Sequence, residues 1–447
     1  MKSILKYGLV LLLWQAGEIK AAITITNIAV GYGHSFFLKS DGALWGMGRN
    51  TLGELGDGTS ISTNRPKQLV SSNVVAMACG SDHSLFLKSD GSLWVCGYNQ
   101  YGQLGDGTFN MTNRLEQIVP AGVVAINAGN AHSLFLKSGG SLWGMGLNSD
   151  GELGDGTFNN TNRPEQLVAS GVTAFSGGSF HTLFLKSDGS LWGMGANAYG
   201  QLGDGTLAAT NYPEQIVPSN VVAVACGSAH SLFLKTNGSL WAMGDNENGQ
   251  LGDGTLTNAS VPEQIVASNV VAIAAGFSHS LFLKSDGSLW VMGFNGSSQL
   301  GDGTAVESHT PKQIIAKEVT AVVSQTSHNL LLKSDGSLWG MGYNVDGQLG
   351  DGFPNYNSMI PEQILPSPRP VLTNTISFKT NLQFSTVCRF GGTFNLLAST
   401  NLTQPLSQWL SVATNIINNR TNNLFSATLT NAANARASQK FYILRSQ

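Results

Sequence analysis

One 49-residue unit is repeated seven times along this chain, with no insertion or deletion apparent between the copies. A typical copy contains "GSLWGMGANAYGQLGDGT", at residues 189–206. Tryptophan recurs at the 49-residue period as Trp45, Trp94, Trp143, Trp192, Trp241, Trp290 and Trp339. Histidine does the same as His34, His83, His132, His181, His230, His279 and His328. A constant period of this length predicts a repeat architecture, in which each unit buries its apolar surface against its neighbours.

Each unit has the pattern of four short antiparallel strands. In residues 172–218, the segments "VTAFSGG", "HTLFLKSDGS", "LWGMGAN" and "YPEQIVP" are separated by turn and glycine-rich segments. Seven such units over residues 23–366 predict an all-β fold, a seven-bladed β-propeller, whose radial closure protects the sheet edges. The tryptophans and the methionines that follow them are expected to fill the space between blades. The two ends of this region are predicted to meet in one blade, with residues 23–31 pairing with strands of the last unit.

The repeated polar residues are interpreted as structural. Seven equivalent His, Asp and Ser sets are not expected of a catalytic site, and metal ligands must converge on a single ion. The histidines and tryptophans are therefore predicted to hold the strands together, the histidines through hydrogen bonds to the backbone. The aspartate of each "LGDG" is expected to cap a turn. The sequence predicts no catalytic residue, no metal and no cofactor, and thus a protein that is not an enzyme.

The four cysteines are interpreted as small core residues. Cys79 and Cys226 share one repeat position, Cys96 replaces a methionine, and Cys388 lies in the tail. A disulfide between Cys79 and Cys96 is the one local alternative, since both lie in the same unit.

The repeated run G-x-x-H-S-L-F-L-K-S-D-G-S-L-W-G-M-G-x-N-x-x-G-Q-L-G-D-G-T resembles the RCC1 (regulator of chromosome condensation) repeat, and the resemblance spans about residues 23–366. The family forms seven-bladed propellers. This sequence places its tryptophan two positions earlier than the family usually does, with methionine or cysteine in the later position, so the core packing is expected to differ. The resemblance implies either nucleotide exchange on a small GTPase, as in the founding member, or a binding role, as in exported bacterial members that inhibit secreted hydrolases. Exchange is associated with a wedge inserted in one blade, for which the constant period leaves no room.

One face of the propeller is predicted to carry the binding site. Turns between the first and second strands and loops between the third and fourth strands project from the same rim, and these segments vary between units. Aromatic and charged residues on a rigid surface are typical of binding sites, although drift at exposed positions is an alternative. The candidate binding residues are Tyr32, Arg49, Asp82, Tyr98, Tyr101, Phe180, Tyr199, Asp245, Phe277, Phe294 and Tyr343. Ser92 and Ser190, in the uniform "SDGS" turns of the opposite rim, are expected to contribute nothing to binding.

The charge distribution bears on the partner. Residues 23–366 hold 14 Lys and Arg against 26 Asp and Glu, whereas residues 367–447 hold 7 Lys and Arg and no acidic residue. An acidic repeat region disfavours nucleic acid as the partner and leaves a protein or a glycan. The basic tail is expected to contact either the propeller or an anionic envelope surface.

The two ends of the chain are expected to be separate segments. Residues 1–22 have two lysines, a short apolar run and small residues, which indicate a signal peptide, with a buried first strand as the alternative. The run is too short to cross a bilayer, and no other segment is a candidate transmembrane helix. Residues 367–374 are predicted to be a linker, and residues 375–447 a β-sandwich-like module that resembles C-terminal modules of secreted bacterial proteins. The sequence thus predicts a non-catalytic exported scaffold, secreted or in the cell envelope.

Overall fold

The computed structural model describes residues 23–353 and 356–367, together with five C-terminal strands. The predicted signal peptide, nearly all of the predicted linker and Cys388 lie outside the described residues. Thr24–Ser367 form one compact unit.

Twenty-eight strands build this unit, four for each repeat. The first strands are β1 Ile25–Val30, β5 Val74–Cys79, β9 Val123–Ala128, β13 Val172–Gly177, β17 Val221–Cys226, β21 Val270–Ala275 and β25 Val319–Ser324. The second strands are β2 His34–Lys39, β6 His83–Lys88, β10 His132–Lys137, β14 His181–Lys186, β18 His230–Lys235, β22 His279–Lys284 and β26 His328–Lys333. The third strands are β3 Leu44–Gly48, β7 Leu93–Gly97, β11 Leu142–Gly146, β15 Leu191–Gly195, β19 Leu240–Gly244, β23 Leu289–Gly293 and β27 Leu338–Gly342. The fourth strands are β4 Thr63–Val70, β8 Thr112–Val119, β12 Thr161–Val168, β16 Thr210–Val217, β20 Ala259–Val266, β24 Ser308–Ile315 and β28 Ser358–Leu365.

Each repeat forms its own four-stranded antiparallel blade, in the order first, second, third, fourth strand. The first strands line a central channel of about 260 Å³, and the fourth strands lie at the periphery, where most of their side chains are half-buried or exposed. The seven blades confirm the predicted all-β propeller.

The prediction about ring closure is wrong in its details. Strand β1 pairs with β2 of its own blade, and β28 pairs with β27 of the last blade, so no blade contains both ends. The ring closes instead through side-chain packing and hydrogen bonds between the loops and turns of the two blades, without strand pairing. Ile28, Val30 and Met47 of blade 1 pack with Leu330 and Leu338 of blade 7.

The repeat period also changes once. Fourth strands begin 49 residues apart through the sixth blade, but the last one begins at Ser358, 50 residues after Ser308. The additional residue lies in the loop before β28. In this loop the Tyr356 hydroxyl lies 2.6 Å from Asp351 Oδ2 and 2.8 Å from Glu362 Oε2, and its single proton is shared between the two carboxyl groups. The absence of insertions therefore holds for all units except the last.

The tryptophans pack between a lysine and the preceding blade. Lys186 Nζ lies 3.7 Å from the ring centre of Trp192, and the Phe184 ring stacks on the same tryptophan with the ring centres 6.3 Å apart. Trp192, Phe184 and Met194 all pack against Leu134 and Leu142 of the preceding blade. The same lysine–tryptophan contact, at 3.5–4.2 Å, occurs in every blade. Tryptophan and methionine thus fill the space between blades, as predicted.

The serines of the "SDGS" turns belong to the core. Trp192 donates from Nε1 to Ser190 Oγ at 2.8 Å, and Trp94 donates to Ser92 Oγ at 2.9 Å. Both serines lie in turns of the rim opposite the loops, as expected, but they are fully buried and have a structural role as acceptors for tryptophan. That they contribute nothing to binding stays a prediction.

Each of the seven histidines reaches the next blade. His181 Nε2 lies 2.9 Å from Ser231 Oγ, and that hydroxyl donates to the backbone oxygen of Gln201 at 2.7 Å. Because the hydroxyl proton is used there, the histidine must donate from Nε2. The equivalent pairs, at 2.8–3.1 Å, are His34–Ser84, His83–Ser133, His132–Thr182, His230–Ser280, His279–Asn329 and His328–Ser35. The histidine bonds are therefore made to side chains of neighbouring blades rather than to the backbone, and they run around the whole ring.

The glycine three residues before the histidine makes room for this ring. A Cβ on Gly178 would lie 2.3 Å from His181 Cε1, closer than any side chain allows. The seventh blade has Gln325 at this position.

Cys79, Cys96 and Cys226 are buried free thiols, which confirms their interpretation as small core residues. In the C-terminal part, the strands are β29 Asn381–Val387, β30 Thr393–Ser399, β31 Leu410–Ile416, β32 Leu424–Thr430 and β33 Phe441–Ser446. They form a two-stranded sheet, β29–β32, and a three-stranded sheet, β31–β30–β33, so the sandwich remains a prediction. Among the described residues, no helix has the length and apolar character needed to span a membrane.

Candidate binding surface on the loop face

The turns between first and second strands and the loops between third and fourth strands share one face, which we call the loop face. The other face carries the turns between second and third strands and is called the opposite face. The loops are rigid because buried asparagines hold them. Asn197 accepts a hydrogen bond from the Leu202 amide at 3.0 Å and donates to Asp204 Oδ1 at 2.9 Å, while that carboxylate caps the turn at Thr206.

The loop of each blade is also anchored to the next blade. Gly205 donates its amide to the backbone oxygen of Ser260 at 2.9 Å, and Gly352 of the last blade donates to Asn64 of the first at 2.9 Å. The loop face is therefore a preorganised surface, which lowers the entropic cost of binding.

Arg49 forms the centre of a cluster at the junction of blades 7, 1 and 2. Its Nη1 lies 3.1 Å from Asp82 Oδ1, and its Nε lies 3.4 Å from Oε1 of the buried Glu54. The guanidinium carbon lies 6.0 Å from the ring centre of Tyr32. Arg49 is the one cation among the loop-face segments, and its charge is neutralised within the protein.

Three more tyrosines extend this cluster. The backbone amide of Tyr98 donates a hydrogen bond to the backbone oxygen of Asp82 at 2.8 Å. The Tyr98 ring meets the Tyr101 ring edge to face, with the ring centres 6.3 Å apart. The Tyr98 hydroxyl donates to Gln100 Oε1. Tyr343, from blade 7, lies near Tyr32; burial first, and then the charge of Asp346, raise the pKa of its phenol. We call Tyr32, Arg49, Asp82, Tyr98, Tyr101 and Tyr343 the tyrosine cluster.

The other candidate residues lie elsewhere on the same face. Phe180 and Tyr199 belong to blade 4 and Asp245 to blade 5. Asp245 accepts a hydrogen bond from Gln250 Nε2 at 2.8 Å. In blade 6, Phe277 and Phe294 are partly exposed, and the Phe277 backbone bonds with Thr326 and Ser228 at the mouth of the channel. The structure places all eleven candidates on the loop face but brings only six of them into one cluster.

Two functional candidates escaped the sequence prediction, namely the buried carboxyls of Glu54 and Glu152. Five blades have glutamine at this position of the loop. Its Oε1 accepts a hydrogen bond from the backbone amide two residues earlier, as Gln201 does from Tyr199 at 3.0 Å. Glu54 and Glu152 make the same bond through Oε2. Burial raises the pKa of Glu152 to about 7, and it raises that of Glu54 while Arg49 opposes the shift. The exchange of Gln for Glu in two of the seven units was the signal available in the sequence.

No group of three or more metal-ligating side chains converges within the described part of the chain. The histidines face neighbouring blades, and burial lowers their pKa to about 3 or 4, so they are neutral at physiological pH.

The fold and the loop face define a seven-bladed β-propeller with a rigid, aromatic-bearing rim. The sequence matches the RCC1-like domain over residues 14–219 and the RCC1 repeat over 221–250 and 270–299, with a second RCC1 repeat profile matching 237–283 and 286–332. The chain is therefore a protein of RCC1 repeats.

Solved structures show the same architecture. Human WBSCR16 is 26% identical, with a TM-score of 0.63, and the match covers 70% of this chain and 88% of that one. Prp20p from Saccharomyces cerevisiae, described with its binding to Gsp1p and histones, is 21% identical with a TM-score of 0.67, covering 74% and 88%. Yeast RCC1 (Prp20) in complex with Kap60 is 20% identical with a TM-score of 0.65, covering 81% and 92%. No curated protein sequence matches this chain significantly.

Proposed function

We propose that this protein is a non-catalytic, exported binding scaffold that holds a protein partner on its loop face. The tyrosine cluster is the observation that carries the proposal. It gathers four tyrosines around an arginine, and these residue types dominate the binding energy of protein interfaces. The loops beneath it are fixed by buried hydrogen bonds, which favours recognition by a preformed surface.

The similar structures support a protein partner rather than a glycan. The yeast protein Prp20p binds Gsp1p and histones, and yeast RCC1 is bound to Kap60. The yeast relative, which has the same propeller fold, thus binds other proteins, and we extend that role to this chain.

Site-specific crosslinking tests which face binds. A photoreactive phenylalanine analogue replaces Tyr101 on the loop face or the exposed Ser187 on the opposite face, and the full chain is incubated with an extract of its source cells. We expect one protein to be crosslinked from position 101 and not from position 187. Crosslinking of the same protein from position 187 alone would contradict the proposal.

With that protein in hand, affinity measurements identify the anchors. Tyr98→Ala or Phe294→Ala should weaken binding about 30-fold, which corresponds to about 2 kcal/mol. Ser187→Ala is the matched control on the opposite face and should leave the affinity unchanged. Equal affinities for all four proteins, the unmodified chain included, would rule out the aromatic anchors.

Nucleotide exchange is the alternative function, favoured by the similarity to Prp20p, whose described partner is Gsp1p. The blades of this chain differ in length by one residue only, in the last loop, which leaves no inserted wedge. If the crosslinked protein is a GTPase and releases bound nucleotide when the chain is added, exchange replaces the scaffold role. Export is tested separately, because the mature protein should begin after residue 16 or near residue 22 when its N-terminus is sequenced from a cell-envelope or medium fraction.

A further inference from the structure

The loop face is strongly acidic. Between first and second strands and between third and fourth strands, the seven blades carry fifteen carboxyl groups and one cation, Arg49. The carboxyl groups are Glu54, Asp57, Asp82, Asp106, Asp150, Glu152, Asp155, Asp204, Asp245, Glu247, Asp253, Asp302, Glu307, Asp346 and Asp351. By contrast, the lysines at the ends of the second strands, such as Lys186, lie toward the opposite face over the tryptophans. The propeller is therefore electrostatically polarised.

Some of these carboxyl groups form ion pairs with lysines of the protein itself. Lys67 pairs with Asp57 at 2.5 Å and Lys312 pairs with Asp302 at 2.6 Å, both from fourth strands. Arg163 lies against the loop glycine Gly107 of the preceding blade. Blade 4 has Tyr212 at the position of Arg163, and its hydroxyl lies against Gly156 of blade 3. The loop of blade 3 therefore lacks the arginine that lies beside the loop of blade 2.

Glu152, the buried carboxyl group of blade 3, has no cation beside it in the described part of the chain. Glu152 has no exposed surface, its Oε2 accepts the Asp150 amide at 2.9 Å, and its Oε1 has no hydrogen-bond partner among the described residues. In blade 1 the equivalent oxygen of Glu54 faces Arg49. The residue at the position of Arg49 in blade 3 is Leu147, which is buried. Blade 3 thus repeats the carboxyl of blade 1 without its cation.

The surroundings of Glu152 suit a long basic side chain. In blade 2 the residue that borders Arg49 is Asp82. Blade 4 has Phe180 at the equivalent position, and Phe180 is 39% exposed. An aromatic ring at that position favours a cation by a cation–π contact, and Asp150 adds a second negative charge. Burial strengthens an ion pair that forms there.

We propose that the junction of blades 3 and 4 docks a lysine- or arginine-bearing polypeptide segment, one of whose cations reaches the carboxyl of Glu152. The incoming side chain takes the place that Arg49 fills in blade 1, and the Leu147 side chain moves aside to admit it. The inference rests on the proposed function, because it assigns the chemistry of the partner that the loop face holds.

A simple basic peptide serves as the probe. Fluorescein-labelled nona-arginine and nona-glutamate are titrated against the full chain at low salt and followed by fluorescence anisotropy. We expect nona-arginine to bind, more weakly as salt rises, and nona-glutamate not to bind. Failure of nona-arginine to bind, or equal binding of both peptides, would overturn the inference while leaving the crosslinking test of the loop face unaffected.

Matched substitutions locate the cation. Glu152→Gln installs the residue found in five other blades, so folding is expected to persist. It should weaken nona-arginine binding about tenfold, as loss of a buried charge partner does. Glu54→Gln removes the same charge where Arg49 already supplies the cation and should change the affinity less than about twofold. Equal effects of Glu54→Gln and Glu152→Gln would overturn the assignment of Glu152.

A second variant supplies the cation internally. Leu147→Arg reproduces the pair of blade 1 and should abolish the dependence of nona-arginine binding on Glu152. Ala196→Arg adds the same charge at the same position of blade 4, where the neighbouring residue is Gln201, and is the control for charge alone. If Glu152→Gln still weakens binding in the Leu147→Arg background, the cation does not occupy this position.

Discussion

Single residues in this propeller have measurable roles because seven copies provide internal comparisons. Six blades carry a serine that accepts the tryptophan Nε1 proton, whereas blade 1 has Ala43, and the buried Nε1 of Trp45 has no partner in the part of the chain that the structure describes. A buried unsatisfied donor costs about 1–3 kcal/mol.

Ala43→Ser should therefore stabilise the protein by about 1 kcal/mol, because it supplies the acceptor that Trp45 lacks. Ser190→Ala, which removes the same acceptor from Trp192, should destabilise it by a similar amount. The free energy of unfolding in urea measures both. A loss of stability in Ala43→Ser would show that blade 1 has no room for the hydroxyl.

The histidine bonds between blades give a second prediction at this scale. His181→Ala removes the donor to Ser231 and opens a cavity, so it should cost about 1–3 kcal/mol of stability. Partner binding, measured well below the melting temperature, should be unchanged. Loss of binding in a variant that remains folded would instead place His181 in the binding surface.

At the scale of elements, the loops between third and fourth strands depend on their asparagine. Asn197→Ala leaves the Leu202 amide and the Asp204 carboxylate without their partner, so the loop should lose order along with about 2–3 kcal/mol of stability. Hydrogen exchange at the Leu202 amide should accelerate strongly. Ala198→Ser, at an exposed position of the same loop, should leave the exchange unchanged.

The strands could be predicted from the sequence, but the contacts between residues of different blades could not. The segment "LWGMGAN" contains β15 because apolar residues and glycines repeat in every unit. A repeat assigns the same role to His181 in every blade, yet it does not say which blade supplies the partner, and the pairing with Ser231 of the next blade appears only in three dimensions. The cluster around Arg49 was missed as a unit because its residues come from three blades.

Departures from the period carried more information about the site than the period itself. Glu152 has nearly the same size and shape as the glutamine of its counterparts but can carry a negative charge, and its significance depends on Leu147, which stands where blade 1 has the cation Arg49. The constant residues describe the scaffold because they meet the same requirement in every blade.

For the whole molecule, closure of the ring is the property to test. Met47 packs across the junction of blades 7 and 1, and Met194 packs across the junction of blades 3 and 4; both are fully buried. In a closed ring, Met47→Ala and Met194→Ala should each cost about 2–5 kcal/mol. A much smaller cost for Met47→Ala, by urea unfolding, would mean that the first and last blades separate in solution.

The seven buried histidines should make the propeller unstable in acid. Burial lowers their pKa to about 3 for His34, His83, His181, His230 and His328 and to about 4 for His132 and His279, below the value of 6.5 for an exposed imidazole. Their Nδ1 atoms have no hydrogen-bond partner among the described residues, so a second proton could not be accommodated. The stabilisation by these neutral rings is complete above about pH 6.5, because both states are then unprotonated, and is lost as the pH falls toward the folded pKa values.

Between these limits the unfolded chain binds up to seven more protons, and stability falls by up to roughly 10 kcal/mol per pH unit. Glu54, Asp82 and Glu152 act in the opposite direction, since burial raises the pKa of each, to about 7 for Glu152, but they are three groups against seven. Natural proteins have a total stability of about 5–15 kcal/mol, so unfolding should occur in one steep transition between about pH 4 and 5.5. Tryptophan fluorescence across a pH titration measures it, with more than two protons taken up per molecule at the midpoint. A native spectrum that persists at pH 3.5 would contradict the assignment of seven neutral, buried imidazoles.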